Sequence, residues 1–259
     1  MTERCKESQA RAVNLEYYLR QCPGRTDYWR KMAAPRFRMA TFLKLLAELG
    51  PESLVDLGCG SGELLDEIRK KNPAMHLCGI DLSPMLIDAN SMRGPSTSWH
   101  SIDLDCEQEF PPELLHRFDA VMASEIIEHL DHPLIFLQNA RALARPGGRL
   151  FLSTQSGRMW ETERRVGHRR HYSAVEMQAL LIEAGWKPLR VWNSGFPFHD
   201  LSKRFANADP DATMKRFSEE AYGPLENFTC FLLRLAFRLN SSKSGAQLFA
   251  VAEFSQGDM

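Results

Sequence analysis

Two carboxylates and a histidine lie close together in the stretch SEIIEHLDH, which begins at Ser124. Glu125, Glu128 and His129 are spaced i, i+3 and i+4, so an α-helix would carry all three on one face. Carboxylate oxygens and imidazole nitrogens bind divalent metals, and the same groups move protons in acid–base catalysis. The spacing therefore predicts a metal site or a proton-transfer site. The alternative, helix-capping carboxylates beside a packed histidine, stays open.

A second titratable group occurs in ETERRVGHRRHYS, residues 161–173. It contains His168, His171 and Tyr172, and we expect one of the two histidines to face a pocket. Four arginines accompany them, either as a solvated face or as a clamp for a substrate carboxylate or phosphate: Arg164, Arg165, Arg169 and Arg170. The patch is short and the chain is not basic overall, which argues against nucleic acid as a partner.

A glycine-rich turn, VDLGCGSGE at residues 55–63, precedes both groups. Gly58, Gly60 and Gly62 follow an apolar run, so we expect a strand to end and a helix to begin there, with bare backbone open to a ligand. Asp81 ends the next apolar run about 20 residues later, where a carboxylate accepts the ribose hydroxyls of an adenosine ligand. Asp103, after a third run, is placed to accept from an adenine amino group. NAD and S-adenosylmethionine both satisfy this pattern, and the turn alone is also compatible with a plain strand-to-helix connection.

Apolar strand-like runs alternate with helical patterns between residues 54 and 191, which predicts an α/β fold around a parallel sheet with crossover helices. Ser61 is expected to cap the helix after the glycine turn. Ser173 and Glu176 form a capping box for a later helix.

Two segments lie outside this alternation. Residues 1–50 predict helices at 10–20 and 28–49, and residues 196–244 predict a helical, aromatic lid over the carboxyl ends of the strands. We therefore expect one domain in four parts: an N-terminal helical cap (1–50), a cofactor-binding core (51–195), the lid (196–244) and a closing strand (245–259).

Five segments together resemble the class I S-adenosylmethionine-dependent methyltransferases over residues 33–191. VDLGCGSGE is similar to the first motif of that family, GIDLS to the second, ID at 102–103 to the third, FDAVMASEIIEHLDHP to the fourth-strand segment and RPGGRLFLS to the fifth. The resemblance implies a Rossmann-like sheet of seven strands in the order 3-2-1-4-5-7-6, with an antiparallel last strand and helices on both faces. It also implies S-adenosylmethionine as the cofactor, because NAD explains none of the later motifs.

The resemblance further implies where the cofactor lies. The glycine turn would face its methionine part, Asp81 the ribose and Asp103 the adenine edge, while Leu82 and Ile102 would enclose the ring and Ser124 would lie beside the sulfonium. The full set expected at the cofactor is Asp56, Gly58, Cys59, Gly60, Gly62, Asp81, Leu82, Ile102, Asp103, Leu104 and Ser124, with Tyr28 and Trp29 on an N-terminal helix that closes over it.

Two subfamilies share a Glu-x-x-Glu-His after the fourth strand. Ubiquinone-pathway O-methyltransferases carry a similar segment, and small-RNA 2′-O-methyltransferases add a later histidine that completes a metal site. By this resemblance a divalent metal ion would bind Glu125, Glu128, His129 and His168, with His171 as the alternative to His168. The stretch GHRRHYS is more similar to bacterial small-molecule methyltransferases, so we expect the ubiquinone-pathway type.

A hydroxyl acceptor needs a base or a metal to lose its proton, whereas an amine needs little else. Because acid–base residues crowd the predicted site, we expect O-methylation of a small-molecule hydroxyl or carboxylate, with His129, His168 and Glu125 as the catalytic residues. N-methylation, metal-dependent RNA 2′-O-methylation and a non-catalytic S-adenosylmethionine-binding protein remain alternatives. The side chains expected at the acceptor are Glu128, His171, Tyr172, Phe196, Phe198 and His199.

The composition is typical of a soluble globular protein: 259 residues, 44% hydrophobic and 25% charged, with a formal net charge of -1. The first residues lack an apolar signal segment and the six cysteines form no Cys-x-x-Cys pair, which favours the cytoplasm and argues against a membrane protein. A homodimer stays open, because an apolar stripe at helical spacing has to be buried against something: Phe228, Phe231, Leu232 and Leu235.

Overall fold

The centre of the chain is one seven-stranded sheet, in a computed structural model that describes residues 30–217 and 221–255. The strands are β1 (Ser53–Leu57), β2 (His76–Asp81), β3 (Thr97–Ser101), β4 (Phe118–Ser124), β5 (Ala144–Gln155), β6 (Lys187–Ser194) and β7 (Gln247–Glu253). Their order is β3-β2-β1-β4-β5-β7-β6, and β7 runs antiparallel to both β5 and β6 while the other neighbours are parallel. The predicted fold class and strand order are confirmed.

Helices connect the strands at the predicted places. They are α1 (Ala33–Leu49), α2 (Glu63–Lys71), α3 (Pro84–Ser91), α4 (Pro133–Leu143), α5 (Glu161–Arg165), α6 (Ala174–Glu183), α7 (Phe198–Ala206), α8 (Pro210–Phe217) and α9 (Pro224–Phe237). The capping box before α6 is present, since Ser173 and Glu176 each accept the other's backbone N–H. The predicted cap of α2 is wrong: Gly62 is its N-cap in a left-handed conformation, and the Ser61 hydroxyl donates to the Glu63 carboxylate instead.

Helix α1 begins later than the sequence predicted. Met32 is extended, with φ of -62° and ψ of 142°, and separates α1 from the helical residues 30–31. Pro35 explains the break, because its ring would clash with the carbonyl of residue 31 if one helix continued through both. The predicted helix at residues 10–20, and Tyr28 and Trp29, lie outside the described residues.

The segment between β6 and β7 is helical, as predicted, and forms α7, α8 and α9. Helix α9 packs on α1 and α7, and α8 packs on α5. Cys230 and Phe237 are the buried side chains of α9. Its predicted apolar stripe is 42–57% exposed: Phe228, Phe231, Leu232 and Leu235.

Two clusters of buried side chains cover the two faces of the sheet. One contains Phe136, Leu137 and Leu181 from α4 and α6, and the other contains Phe42 and Leu46 from α1. Alternate residues of the central strands contribute to each, as a sheet covered on both faces requires. The rigid sheet fixes the loops at its carboxyl edge, where the candidate site lies.

No helix among the described residues is long and apolar enough to cross a membrane. Cys59 and Cys78 are buried free thiols, whereas Cys106 is disulfide-bonded. The cysteine spacing did not predict that bond.

Candidate active site

The glycine turn and the loop after β4 are neighbours at the carboxyl edge of the sheet. Leu57, the last residue of β1, pairs with Ile80 of β2 on one side and with Ala123 of β4 on the other. Gly58 has a φ of 72°, and a Cβ there would lie 2.6 Å from Cδ1 of Ile126. Only glycine therefore lets the turn pack directly on the loop that carries the predicted acid–base residues.

Asp81 holds the glycine turn through the backbone. Its Oδ2 accepts the Gly60 N–H and its Oδ1 accepts the Ser83 N–H, both at 2.9 Å. The buried side chain of Asn90 donates to the Gly60 carbonyl at 2.8 Å. A Cβ on Gly60 would meet no atom of the described residues within 4 Å. The open space at Gly60, beside the Asp81 carboxylate, fits an adenosine ligand.

Two buried ionisable side chains lie in the glycine turn and in the strand before it. Asp56 and Cys59 are only 3% and 7% exposed. Burial, and then the Asp81 carboxylate, raise the pKa of Asp56 to about 8. Burial also raises the pKa of the Cys59 thiol well above its usual value, so this thiol is unreactive. A cationic ligand group at Asp56 would favour its ionised form, which suits an ammonium or sulfonium.

The residues expected around the adenine ring follow β2 and β3. The Ile102 N–H donates to the Asp81 carbonyl at 3.0 Å, which sets the two loops side by side. Leu82 is exposed and Ile102 half-buried, so both offer apolar surface, and Asp103 is half-buried beside them. Leu104 is packed in the core instead.

The loop after β4 is not the predicted α-helix. Glu125 has a φ of 56°, and only Ile127–His129 form a short 3-10 helix. Leu130 is already extended, and Pro133 keeps this stretch apart from α4, since a residue before proline avoids the helical region and His132 has φ of -120° and ψ of 66°. The predicted α-helix is therefore not formed, and Glu125 lies outside the 3-10 helix that carries Glu128 and His129.

The Glu125 carboxylate is fully engaged. It accepts hydrogen bonds from Ser153 at 3.1 Å, from Gln247 at 2.9 Å and from Gln155, and Arg38 lies 3.7 Å away. Burial raises its pKa, but Arg38 and these donors outweigh burial and hold the pKa of Glu125 below its usual value. An ionised carboxylate with these partners is a poor proton acceptor. The geometry favours an anchoring role over the predicted catalytic one.

The pKa of Glu128 is shifted in the opposite direction. It is completely buried, Thr154 donates to its Oε2 at 2.9 Å, and its Oε1 has no hydrogen-bond partner among the described residues. Burial, and then the Glu125 charge, raise the pKa of Glu128 well above its usual value. Such a carboxyl group is either neutral or paired with a cation.

Glu128, His129 and His168 form a compact group whose ligand atoms lie within 4.8 Å of one another. Burial lowers the pKa of His129 to about 4, and burial with the two neighbouring histidines lowers that of His168 to about 2. Both imidazoles are therefore neutral, the form that binds metals, so the residues fit a divalent metal ion. Glu125 lies outside this group, and the predicted four-residue set is reduced to three.

Both predicted histidines of the second stretch belong to the site. Nδ1 of His168 lies 3.2 Å from Nε2 of His171, whose Nδ1 lies 3.2 Å from the Gly157 carbonyl. Glu163 Oε2 is 3.6 Å from the same Nε2, and Lys203 of α7 pairs with Glu163 Oε1 at 2.6 Å. Helix α7 thereby reaches the histidines through one buried ion pair.

Several residues expected at the acceptor lie elsewhere. Tyr172 is a core residue, 6% exposed, and its hydroxyl donates to the Ile127 carbonyl at 3.4 Å. His199 is 2% exposed, and Phe198 is half-buried at the start of α7. Phe196 is 54% exposed in the turn before α7, so the predicted apolar wall is not formed.

The arginines of residues 161–173 form a surface. Arg165 pairs with Asp211 at 2.6 Å, and Arg169 pairs with Asp131. The exposed ones are Arg164, Arg165 and Arg170. The solvated-face alternative is the one that the structure supports.

Sequence reasoning missed three kinds of site residue. Arg38 could have been found from the sequence, because it precedes Phe42 and Leu46 at intervals of four and so lies on the buried face of α1. Gln155 and Gln247 end and begin otherwise apolar strands. Lys203 carried no signal, because only the tertiary fold brings α7 to β5.

The chain matches a family model described as a methyltransferase domain over residues 28–191, more than half of its length. This chain belongs to the methyltransferase-domain family. The match confirms the resemblance drawn from the motifs. It covers the glycine turn and both titratable groups, but it ends in β6, so α7, α8 and α9 lie outside it.

Relatives of this methyltransferase-domain protein include a ubiquinone biosynthesis O-methyltransferase from Coxiella burnetii, 35% identical over 102 residues, which are 39% of this chain and 42% of the relative. A malonyl-[acyl-carrier protein] O-methyltransferase from Hahella chejuensis is 30% identical over 116 residues, 44% of this chain and 40% of the relative. The chain thus spans less than half the length of these two curated relatives. The N-methyltransferase NodS from Bradyrhizobium japonicum WM9, solved with S-adenosyl-l-homocysteine, has a TM-score of 0.57 and 18% identity, covering 93% of this chain and 98% of NodS, and shares the fold.

Proposed function

We propose that this methyltransferase-domain protein transfers a methyl group from S-adenosylmethionine to an oxygen atom of a small molecule. The compact group of Glu128, His129 and His168 carries the proposal, because it follows Ile126, which packs on Gly58 of the glycine turn. Two curated relatives named O-methyltransferases support oxygen as the acceptor atom, and NodS with its bound S-adenosyl-l-homocysteine supports the cofactor.

The cofactor is held by the backbone of the glycine turn and by two carboxylates. Asp81 accepts the ribose hydroxyls, and its hydrogen bond to the Gly60 N–H keeps the turn in place. Asp56 faces the cationic methionine end, where a positive charge favours its ionised form. Leu82 and Ile102 enclose the adenine ring, and Asp103 accepts from the adenine amino group.

Transfer is an in-line displacement at the methyl carbon. The S–CH₃ bond breaks as the O–CH₃ bond forms, and S-adenosylhomocysteine leaves. Most of the rate comes from holding the acceptor oxygen about 3 Å from the methyl carbon and in line with the sulfur. The hydroxyl must also lose its proton during the step.

His168 is the proposed proton acceptor. Its imidazole is neutral because burial and the neighbouring histidines lower its pKa, so a lone pair is available. A base this weak accepts the proton only as the methyl group is transferred, because the new O–CH₃ bond turns the hydroxyl into a strongly acidic oxonium. The positive charge thus moves from the sulfonium to the oxonium and then to the imidazolium. The total charge of the site is therefore the same before and after transfer.

Glu128, His129 and His168 would also hold a divalent metal ion. Such an ion, when bound, would polarise the acceptor oxygen and lower the pKa of its hydroxyl. The uncompensated Oε1 of Glu128 and the two neutral imidazoles support this part of the proposal.

The helices between β6 and β7 select the acceptor. Lys203 of α7 pairs with Glu163 and donates to Gln155 Oε1 at 2.9 Å. Helix α7 therefore closes one side of the site formed by Glu128, His129 and His168. Among the described residues, the cations that act on the histidines are each paired with a carboxylate: Lys203, Arg38 and Arg169. The site therefore has little excess positive charge for a polyanion, which favours a small acceptor.

The test is methyl transfer to a panel of phenols, catechols, hydroxy acids and amines, with methyl-labelled S-adenosylmethionine and mass-spectrometric detection. We expect an O-methyl product, identified by NMR, with the protein as purified or after addition of a divalent metal. An exclusively N-methylated product, or tight S-adenosylhomocysteine binding without turnover on any acceptor, would overturn the proposal.

Two variants test the roles of the residues. His168→Asn is expected to lower kcat by about 10²–10⁴-fold with little change in S-adenosylhomocysteine affinity. His76→Asn is the matched control, because His76 is exposed at the opposite end of β2. Equal activity in the His168 variant would remove it from the mechanism.

A further inference from the structure

We infer that His171 is a positioning residue that fixes the tautomer of His168, so that His168 carries its proton on Nδ1 and keeps the lone pair on Nε2. The tautomer follows from hydrogen-bond geometry alone. Its catalytic meaning rests on the proposed function, since Nε2 is then the atom that accepts a proton or binds a metal.

The backbone decides which His171 nitrogen carries the proton. A carbonyl oxygen only accepts, so His171 Nδ1, at 3.2 Å from the Gly157 carbonyl, must be an N–H. The Nε2 of a neutral His171 is then an acceptor. His168 Nδ1 lies 3.2 Å from that Nε2 and must therefore donate to it.

A competing arrangement would need His171 Nε2 to donate to Glu163. The distance between Nε2 and Glu163 Oε2 is 3.6 Å, beyond a hydrogen bond, and that oxygen already accepts the Trp160 N–H at 2.7 Å. Lys203 occupies the other oxygen of Glu163 at 2.6 Å. Glu163 is thus satisfied by other donors, and His171 Nε2 remains available to His168.

The His171 ring is held firmly enough to act in this way. Its side chain is only 3% exposed, and its position is set by the Gly157 backbone. The hydrogen bond that one imidazole nitrogen makes decides which nitrogen is left to accept or to bind a metal. Without such a partner, a neutral histidine prefers the proton on Nε2. His168 would then have no lone pair on Nε2 to accept a proton or to bind a metal.

The test is the imidazole ¹⁵N spectrum of the full-length protein at a pH of about 8, where an ordinary histidine is neutral. Long-range ¹H–¹⁵N correlations distinguish a pyrrole-type from a pyridine-type nitrogen, and a His168→Asn spectrum assigns the signal. We expect pyrrole-type Nδ1 and pyridine-type Nε2 for His168. His116, whose Nδ1 lies 3.2 Å from the Ala144 carbonyl, should show the same pattern, and the exposed His76 the opposite one.

Two variants separate positioning from packing. His171→Phe removes the acceptor and should move His168 toward the Nε2–H form, and Co²⁺ bound by the protein should weaken about 10–100-fold. His171→Gln offers an amide oxygen near the position of Nε2 and should restore the Nδ1–H form. A Phe variant that keeps the wild-type His168 pattern would overturn the inference.

The wild-type spectrum tests the predicted tautomer of His168 even if the His171→Phe variant does not fold. An Nε2–H tautomer for His168 in the wild-type protein would refute the role of His171, whatever the activity. An Nδ1–H tautomer in a protein that methylates no acceptor would uphold this inference while the proposed function failed.

Discussion

The guanidinium Nη1 of Arg38 lies 3.7 Å from the Glu125 Oε2 atom, and the two side chains are only 6% and 12% exposed. This ion pair joins α1 to the loop after β4, which carries Glu128 and His129. Against burial, Arg38 and the hydrogen-bond donors hold the pKa of Glu125 below its usual value, whereas burial and then the Glu125 charge raise the pKa of Glu128.

Arg38→Met should therefore lower the free energy of unfolding by about 3 kcal/mol or more, because it leaves a buried carboxylate without its cation. Urea unfolding at neutral pH measures this. The double variant Arg38→Met/Glu125→Gln should recover part of the loss, and Lys44→Met, on the exposed side of α1, should have little effect. If the double variant were no more stable than the single one, the pair would not be the cause.

Asp81→Asn should weaken S-adenosylhomocysteine binding by about 10–100-fold, because hydrogen bonds to a charged group contribute about 1.5–3 kcal/mol. The carboxylate accepts the Gly60 and Ser83 N–H groups and is the group proposed to accept the ribose hydroxyls. Calorimetric titration measures the affinity. Asp88→Asn, exposed on α3, is the matched control, and equal affinities for the two variants would contradict the cofactor placement.

The sheet was predictable because its signals are local. Strand runs, the turn at Gly58–Gly62 and the capping box at Ser173 each occupy fewer than about ten residues, and parallel topology follows from their alternation. The glycine turn and Asp81 were therefore expected together, and they lie 2.9 Å apart through the Gly60 N–H.

The inner arrangement of the site was not predictable, because it depends on contacts between distant segments. Glu125 is left-handed, with φ of 56°, and lies before the short 3-10 helix that contains Glu128, so no α-helix carries both residues although their spacing fits one. Burial raises the pKa of both carboxylates, and the shift is reversed at Glu125 by Arg38, 87 positions earlier in the numbering, together with donors from β5 and β7. No local pattern contains that pairing.

Asp56 should make stability depend on pH in a direction unusual for a carboxylate. Its pKa is about 8 in the folded protein and about 3.9 in an unfolded chain, so the unfolded state loses its proton first. The contribution of Asp56 is therefore fully present below pH of about 4 and is lost as pH rises toward 8. The free energy of unfolding should fall between pH of about 4 and about 8, and Asp56→Asn should make this fall smaller by at least about 1 kcal/mol.

Urea unfolding at a series of pH values, without added ligand, measures this effect. Asp88→Asn controls for the loss of an exposed carboxylate. A pH profile of the Asp56 variant that runs parallel to that of the wild type would show that Asp56 is ionised in both states.

Glu128→Gln should abolish Co²⁺ binding at the histidines while leaving the fold at least as stable as the wild type at pH of about 8. The amide keeps the shape and the Thr154 contact of the buried carboxyl group, but it supplies no anionic ligand and carries no charge to bury. Cobalt absorption in the visible range and urea unfolding give the two readouts. Glu161→Gln, exposed at the start of α5, is the control for removal of a nearby carboxylate. Unchanged cobalt binding in the Glu128 variant would assign the metal to other residues, because the two histidines alone present only neutral ligands.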